Sequence, residues 1–266
     1  MKKIFKMLTV ILVFVFLTII TQVGGVVYLI SLTIKRIWKI NFKFSSFLLF
    51  LSLYLIITIL IVPFTAPFFG REKVKNSEKI KPSTYMTVLL NRNYVTPKLN
   101  DLLTKTAKRL QGTKIRINYL DANFPFINKF PLLPHLSHND GKKIDLSFIY
   151  EDSAGQISNK QKSISGYGVF EAPRSNELNQ IARCLQSGYW QYDYPKYLTF
   201  GMINEDLLFS KKGTKKLIKL LLTNSDLGKI FIEPHLKKRL GLKDSRLRYH
   251  GCKAVRHDDH IHMQLK

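Results

Sequence analysis

The chain opens with two long apolar stretches and only then settles into alternating patterns. From Met7 to Ile34, and again from Phe44 to Gly70, no Asp, Glu, Lys or Arg interrupts it, and each run exceeds the roughly 20 helical residues that cross a ~30 Å hydrocarbon core. Residues 1–70 therefore read as a membrane anchor, a hairpin of two transmembrane helices. A polar linker over 71–83 and one domain over 84–266 follow. The basic start Lys2, Lys3 and Lys6 is also what a signal peptide carries. A signal core, however, is only roughly 7–15 residues long, and Gly24-Gly25 leads here into more apolar sequence.

Beyond the linker the pattern shortens. Thr96-Pro97 supplies an N-cap and a first-turn proline, Leu99, Leu102, Leu103, Ala107 and Leu110 follow at helical spacing, and Gly112 stops the run. Ile115, Ile117 and Tyr119 alternate as in a half-buried strand. Ile144, Leu146, Phe148 and Tyr150 do the same, which sets Asp145 and Ser147 on the opposite face, pointing out of the core. Residues 175–185, 214–222 and 234–240 predict helices, and 229–232 and 259–265 predict strands. Without a regular strand–helix–strand alternation, the expected fold class is α+β, a small, mostly antiparallel sheet with packed helices.

Charge sharpens the first impression. The chain holds 42 Lys+Arg against 18 Asp+Glu, a net +24. Residues 1–81 carry 12 basic and 2 acidic side chains, so much of the excess surrounds the apolar runs and bears on topology. The N-terminal tail (Lys2, Lys3, Lys6) and the loop between the runs (Lys35, Arg36, Lys39, Lys43) nearly tie under the positive-inside rule. No basic run in the domain is interleaved with aromatics on one element, so no nucleic-acid partner is expected. Two cysteines exclude a disulfide scaffold and a multi-cysteine zinc finger.

The histidines carry the chemistry. Five of the seven fall in two clusters: His135 and His138, followed by Asp145, and His257, His260 and His262 near the C-terminal end. On a strand, His260 and His262 project from one side while Ile261 and Met263 cover the other. His138 lies on the connection entering the strand of Asp145, with Gly141 available for a turn. His138, Asp145 and one of the terminal histidines then give three N/O ligands and an open position. That is the pattern of a catalytic zinc with bound water, whereas a structural zinc is closed by four ligands.

The segment 135–146, HLSHNDGKKIDL, resembles the H-x-S-H-x-x-G-x-x-x-D signature of penicillin-insensitive murein endopeptidases. His257-Asp258-Asp259-His260-Ile261-His262 resembles their closing H-x-x-H-x-H. These enzymes belong to the zinc peptidases that include lysostaphin, D-Ala-D-Ala peptidases and hedgehog domains. The likeness runs with gaps from about Thr96 to Leu265 and leaves the apolar hairpin and residues 151–195 unmatched. It implies one zinc ion bound by His138, Asp145 and His262 plus water, with His260 as the catalytic histidine and His135 and His257 as accessory active-site residues. The closing motif has no Glu-x-x-His, so a glutamate base is not available there; Asp259 is adjacent.

The resemblance implies a membrane-anchored zinc peptidase that hydrolyses amides in the peptide cross-links of peptidoglycan. A D-Ala-D-Ala carboxypeptidase or dipeptidase of the same fold, or a non-catalytic wall-binding protein, is the alternative. Its substrate lies outside the inner membrane, so the domain should face the periplasm or cell exterior. The hairpin then has both ends outside and Lys35 to Lys43 in the cytoplasm. In that oxidising compartment Cys184 and Cys252 can pair. His235 and His250 are read as surface or structural.

Overall fold

The first apolar run does not form one helix. In the computed structural model, which describes residues 1–266, α1 spans Lys2–Thr21 and α2 spans Gly24–Ile37. The break is at Gln22, whose φ is 67°, a left-handed conformation that no continuing right-handed helix accommodates. Gly24 and Gly25 let α2 fold back along α1, since a Cβ at Gly25 would collide with Thr18 Oγ1 and the Phe14 carbonyl. A third helix, α3, runs over Ser45–Phe69 and includes a π-helical stretch, Ile57–Ile61, just before Pro63. The missing Pro63 N–H accounts for a widened turn there. Two helices, α1 and α3, are long and apolar enough to cross a membrane. At 14 residues, α2 is shorter than such a span.

This antiparallel return corrects the expected hairpin. Lys6 on α1 lines one cavity together with Lys35, Arg36 and Lys39, so the N-terminal tail and the following loop share an end of the helices instead of occupying opposite ends. At the other end Val62, Ala66 and Tyr94 pack with Val23, Ile57 and Phe126, and the Phe126 N–H donates to Gln22 Oε1 at 2.9 Å.

The chain forms two units: Met1–Val74 with Met86–Pro97 and Ala122–Gly141, and Lys75–Tyr85 with Lys98–Asp121 and Lys142–Lys266. The stretch 71–83, expected as a polar linker, is divided between them and contributes strands to both. In the first unit, Glu72–Lys73 pairs antiparallel with Tyr94–Val95. Arg71 is buried and donates to the Phe124 carbonyl at 3.0 Å and to Asn128.

The second unit is built on a six-stranded sheet. Its strands are β1 (Ile80–Pro82), β2 (Ile117–Tyr119), β3 (Lys143–Ser147), β4 (Leu227–Phe231), β5 (Leu247–Arg248) and β6 (His260–Leu265), in the order β5-β4-β6-β3-β2-β1. The middle ladders are antiparallel, but both outer pairs, β1–β2 and β4–β5, are parallel. The sheet is therefore mixed, not mostly antiparallel as expected. Each parallel pair requires a crossover, and these contain the helices α4 (Pro97–Arg109) and, further along the chain, α7 (Pro234–Arg239). Between them lie α5 (Gln180–Gln186) and α6 (Lys211–Leu222). Asn179, not a residue near 175, starts α5, because its side chain accepts from the Ala182 N–H at 2.9 Å.

One face of the sheet is apolar: Ile144, Leu146, Ile261, Met263 and Ile230 share it and are buried to 0% exposure. Such burial removes water from each side chain and stabilises by roughly 1.5–3 kcal/mol apiece. The predicted strand 144–150 ends early, at Ser147, because the Ile149 N–H donates to Thr214 Oγ1 at 3.1 Å instead of continuing the ladder. Tyr150–Glu151 joins a separate three-stranded sheet with Ile157–Ser158 and Leu208–Phe209.

Candidate metal centre

The opposite face of the sheet holds the site. His262 pairs directly with Asp145 and His260 with Ser147 across the β3–β6 ladder, while Phe231 of β4 faces His262 on the other side. Side chains directly opposite on one face have Cβ atoms about 4.5–5.5 Å apart, and here the functional atoms meet. His262 Nδ1 lies 2.8 Å from Asp145 Oδ1, and His260 Nε2 lies 3.7 Å from the same oxygen. Asp145 is fully buried, which corrects the expectation that it points out of the core: its face is covered by other polar side chains rather than by water.

Tyr167 provides part of that cover. Its hydroxyl donates to Asp145 Oδ2 at 2.9 Å and accepts from the Asp121 N–H at 3.1 Å, and its ring meets His260 edge-on at 5.1 Å. It comes from 151–195, the stretch that matched nothing, and an isolated tyrosine there gives no spacing signal. Burial, then the nearby Asp121 and Asp145, holds its phenol well above the usual range, so it remains a donor.

His260 is aimed by Asp259. Its Nδ1 lies 2.6 Å from Asp259 Oδ1, and Asp259 Oδ2 accepts from the Gly168 N–H at 2.7 Å. With Nδ1–H donating to the carboxylate, Nε2 turns toward Asp145. Burial disfavours the imidazolium, but Asp259 and Asp145 outweigh it and push His260 up to about 9.

His257 completes the cluster. His257, His260 and His262 each offer one atom within 4.8 Å of the others. The His257 N–H donates to Glu233 Oε1 at 3.1 Å, an oxygen that also accepts from the Tyr192 hydroxyl at 2.5 Å. Its Nδ1 has no hydrogen-bond partner although the residue is buried. Burial and then the neighbouring His260, His262 and His250 hold its pKa well below the usual value, keeping it neutral.

His250, expected as surface or structural, stacks on Phe231 with ring centroids 4.0 Å apart and stands 5.1 Å from His257. It lies outside both histidine clusters in the sequence, so spacing gave no sign of it. His235 lies away from the cluster: its Nε2 is 2.8 Å from the Glu171 carbonyl and 3.7 Å from Asp258, which forms a bidentate pair with Arg256. Cys184 and Cys252 are joined in a disulfide that ties α5 to the segment before β6.

His135 and His138 belong to the first unit, and the chain passes to the second at Gly141–Lys142, just before Asp145. Their rings meet edge-on at 5.5 Å. His138 is fully buried with Nδ1 2.7 Å from the Ala122 carbonyl. That bond assigns the proton to Nδ1 and the lone pair to Nε2, the arrangement typical of metal-ligating histidines. Gly141 adopts φ 77°, the expected turn, with no room for a side chain against Arg71.

These donors fit a divalent metal that accepts nitrogen and oxygen. Within the second unit a buried carboxylate oxygen faces an imidazole nitrogen, and an unpartnered imidazole nitrogen lies in the same buried cluster. The buried His/Asp groups can thus hold a metal ion. No protein-family model matches the chain, and no curated protein matches it.

Proposed function

We propose that this chain is a membrane-anchored, zinc-dependent peptidase that hydrolyses amides in the peptide cross-links of peptidoglycan. The single observation that carries this reading is the buried pairing of His262 with Asp145, beside a His260 whose ring is aimed by Asp259. A structural ion pair would not need a second, separately oriented imidazole at the same carboxylate. The resemblance of both histidine motifs to murein endopeptidases supplies the substrate class.

His138, Asp145 and His262 are the proposed ligands. A zinc ion held there would supply a Lewis acid for the scissile carbonyl and a water nucleophile available near neutral pH. His260 Nε2 holds and moves a proton, or donates to the developing oxyanion, while Asp259 keeps its Nδ1 protonated. Tyr167 fixes the Asp145 carboxylate, leaving Oδ1 toward the histidines. His257, kept neutral by burial and the neighbouring imidazoles, and His135 line the site and position substrate. Nothing in this arrangement needs a serine nucleophile, so a β-lactam that acylates serine would leave it active.

The helices support a proposed location. Lys6, Lys35, Arg36 and Lys39 meet at one end of them, and the positive-inside rule assigns that end to the cytoplasm. The chain beyond α3 then emerges on the exterior side of the inner membrane, where peptidoglycan lies. The full chain in detergent, incubated with purified peptidoglycan with and without chelator and resolved by mass, should release chelator-sensitive cleaved muropeptides. Release of D-Ala alone would favour the carboxypeptidase alternative, and retained zinc without any product would favour a non-catalytic wall binder.

A further inference from the structure

The far end of the helices holds a second site. Between α1, α2 and the start of α3 lies a cavity of ≈ 890 Å³ into which Lys6, Lys35, Arg36 and Lys39 contribute four cationic side chains. No carboxylate precedes Glu72 in the chain, so this part of the protein supplies no acidic side chain of its own to neutralise them. Lys35 donates to Ser46 Oγ at 2.6 Å, which fixes one cation across from α3. Phe5, Val10 and Leu32 give the same cavity an apolar wall, and Trp38, between Arg36 and Lys39 in the sequence, is exposed, as aromatics are at a membrane–water interface.

We propose that this cleft binds one anionic glycerophospholipid of the cytoplasmic leaflet. Its phosphate sits among the four cations and an acyl chain lies along the apolar wall. Basic pockets between membrane helices on the cytoplasmic side recognise such headgroups by charge, and the adjacent apolar groove distinguishes a lipid from a free anion. Because the loop after α2 and the N-terminal tail both reach the headgroup, the lipid closes α2 onto α1 at the end farthest from the Gln22 turn. This proposal rests on membrane insertion of α1 and α3, not on peptidase activity. A chain that stays soluble without detergent would refute insertion itself.

The test uses the full chain in detergent, incubated with equal phosphatidylglycerol and phosphatidylcholine and examined by native mass spectrometry. Phosphatidylglycerol should be retained over phosphatidylcholine by at least about tenfold. Lys6→Gln/Lys35→Gln/Arg36→Gln/Lys39→Gln should abolish that preference, whereas Lys2→Gln/Lys3→Gln/Lys43→Gln should keep it. Unchanged circular dichroism and elution volume would certify that both variants fold. Equal retention of the two lipids by the unaltered chain, or equal losses in both variants, would overturn the proposal. Displacement of the lipid by millimolar inorganic phosphate would reduce the site to an anion site and overturn it as well.

Discussion

His262 Nδ1 stands 2.8 Å from Asp145 Oδ1 because the two residues are directly paired across the β3–β6 ladder. Two central strands of the sheet hold them, so their separation is set by backbone register rather than by a loop. Asp145→Asn keeps the shape and removes the negative charge, and His262→Ala removes the nitrogen. Both should reduce bound zinc well below one equivalent by elemental analysis. They should lower muropeptide release by more than the about 10–100-fold expected from losing a supporting partner. Full zinc occupancy in either variant would remove that residue from the ligand set.

Tyr167 acts on the site through Asp145. Tyr167→Phe deletes one hydroxyl and leaves the ring against His260, so the Asp121 N–H and Asp145 Oδ2 each lose a partner. The expected result is a roughly 10–100-fold weaker zinc affinity in competition with a chelator, with the fold retained. An unchanged affinity would limit Tyr167 to packing.

Asp259→Asn separates the proton from the metal. An amide cannot stabilise the imidazolium and lets the ring adopt the other tautomer, so Nε2 is no longer held in the same role. Zinc content should stay at one equivalent while kcat falls by about 10²–10⁴-fold, the range of a positioned proton transfer. Loss of zinc in this variant would instead place Asp259 among the groups that hold the metal.

Glu233 should make stability depend on pH. Burial, opposed by the Tyr192 hydrogen bond, raises its carboxyl to about 7 from the ordinary 4.5. The folded state therefore holds a proton that the unfolded state has lost between those values, so stability falls as pH rises through this window. The contribution is about 3 kcal/mol. Denaturant melts of the metal-free chain should show that decline, and Glu233→Gln should flatten it. Parallel pH slopes for the two proteins would contradict the assignment.

The Cys184–Cys252 disulfide closes a loop with a sequence separation of 68. On chain-entropy grounds its removal by Cys184→Ser/Cys252→Ser should cost about 4 kcal/mol. The variant should bind zinc below its lowered melting temperature, since neither cysteine belongs to the proposed ligand set. A double variant as stable as the parent under oxidising conditions would show the bridge to be dispensable.

Much of the fold was legible because its signals are local. Helical spacing marked Leu99 to Leu110, alternation marked the strand through Asp145, and a two-residue period put His260 and His262 on one face. Pairing of outer strands is not local. Ile80–Pro82 had no alternating pattern long enough to register, and its parallel partner is reached only after a crossover containing α4, so the sheet was expected to be mostly antiparallel. Asp145 was assigned to an outward face because alternation identifies two faces without saying what covers either one; Tyr167, distant in sequence, supplies the cover.

The sequence by itself determined which residues are candidates for a metal site, since histidines three and two positions apart on predicted elements are a property of order along the chain. It also determined that apolar helices precede the domain. Tertiary structure decided the rest. Register set His262 against Asp145, the Asp259 carboxylate chose the direction of His260, and His250 entered through its stack on Phe231. The same holds at the N-terminal helices, where Lys2–Lys6 and Lys35–Lys43 balanced each other in the sequence. A left-handed Gln22 and two glycines fold α2 back on α1 and bring both groups to one end. Spacing along a chain fixes which side chains share an element, but distances between elements depend on turns, register and packing that no single segment encodes.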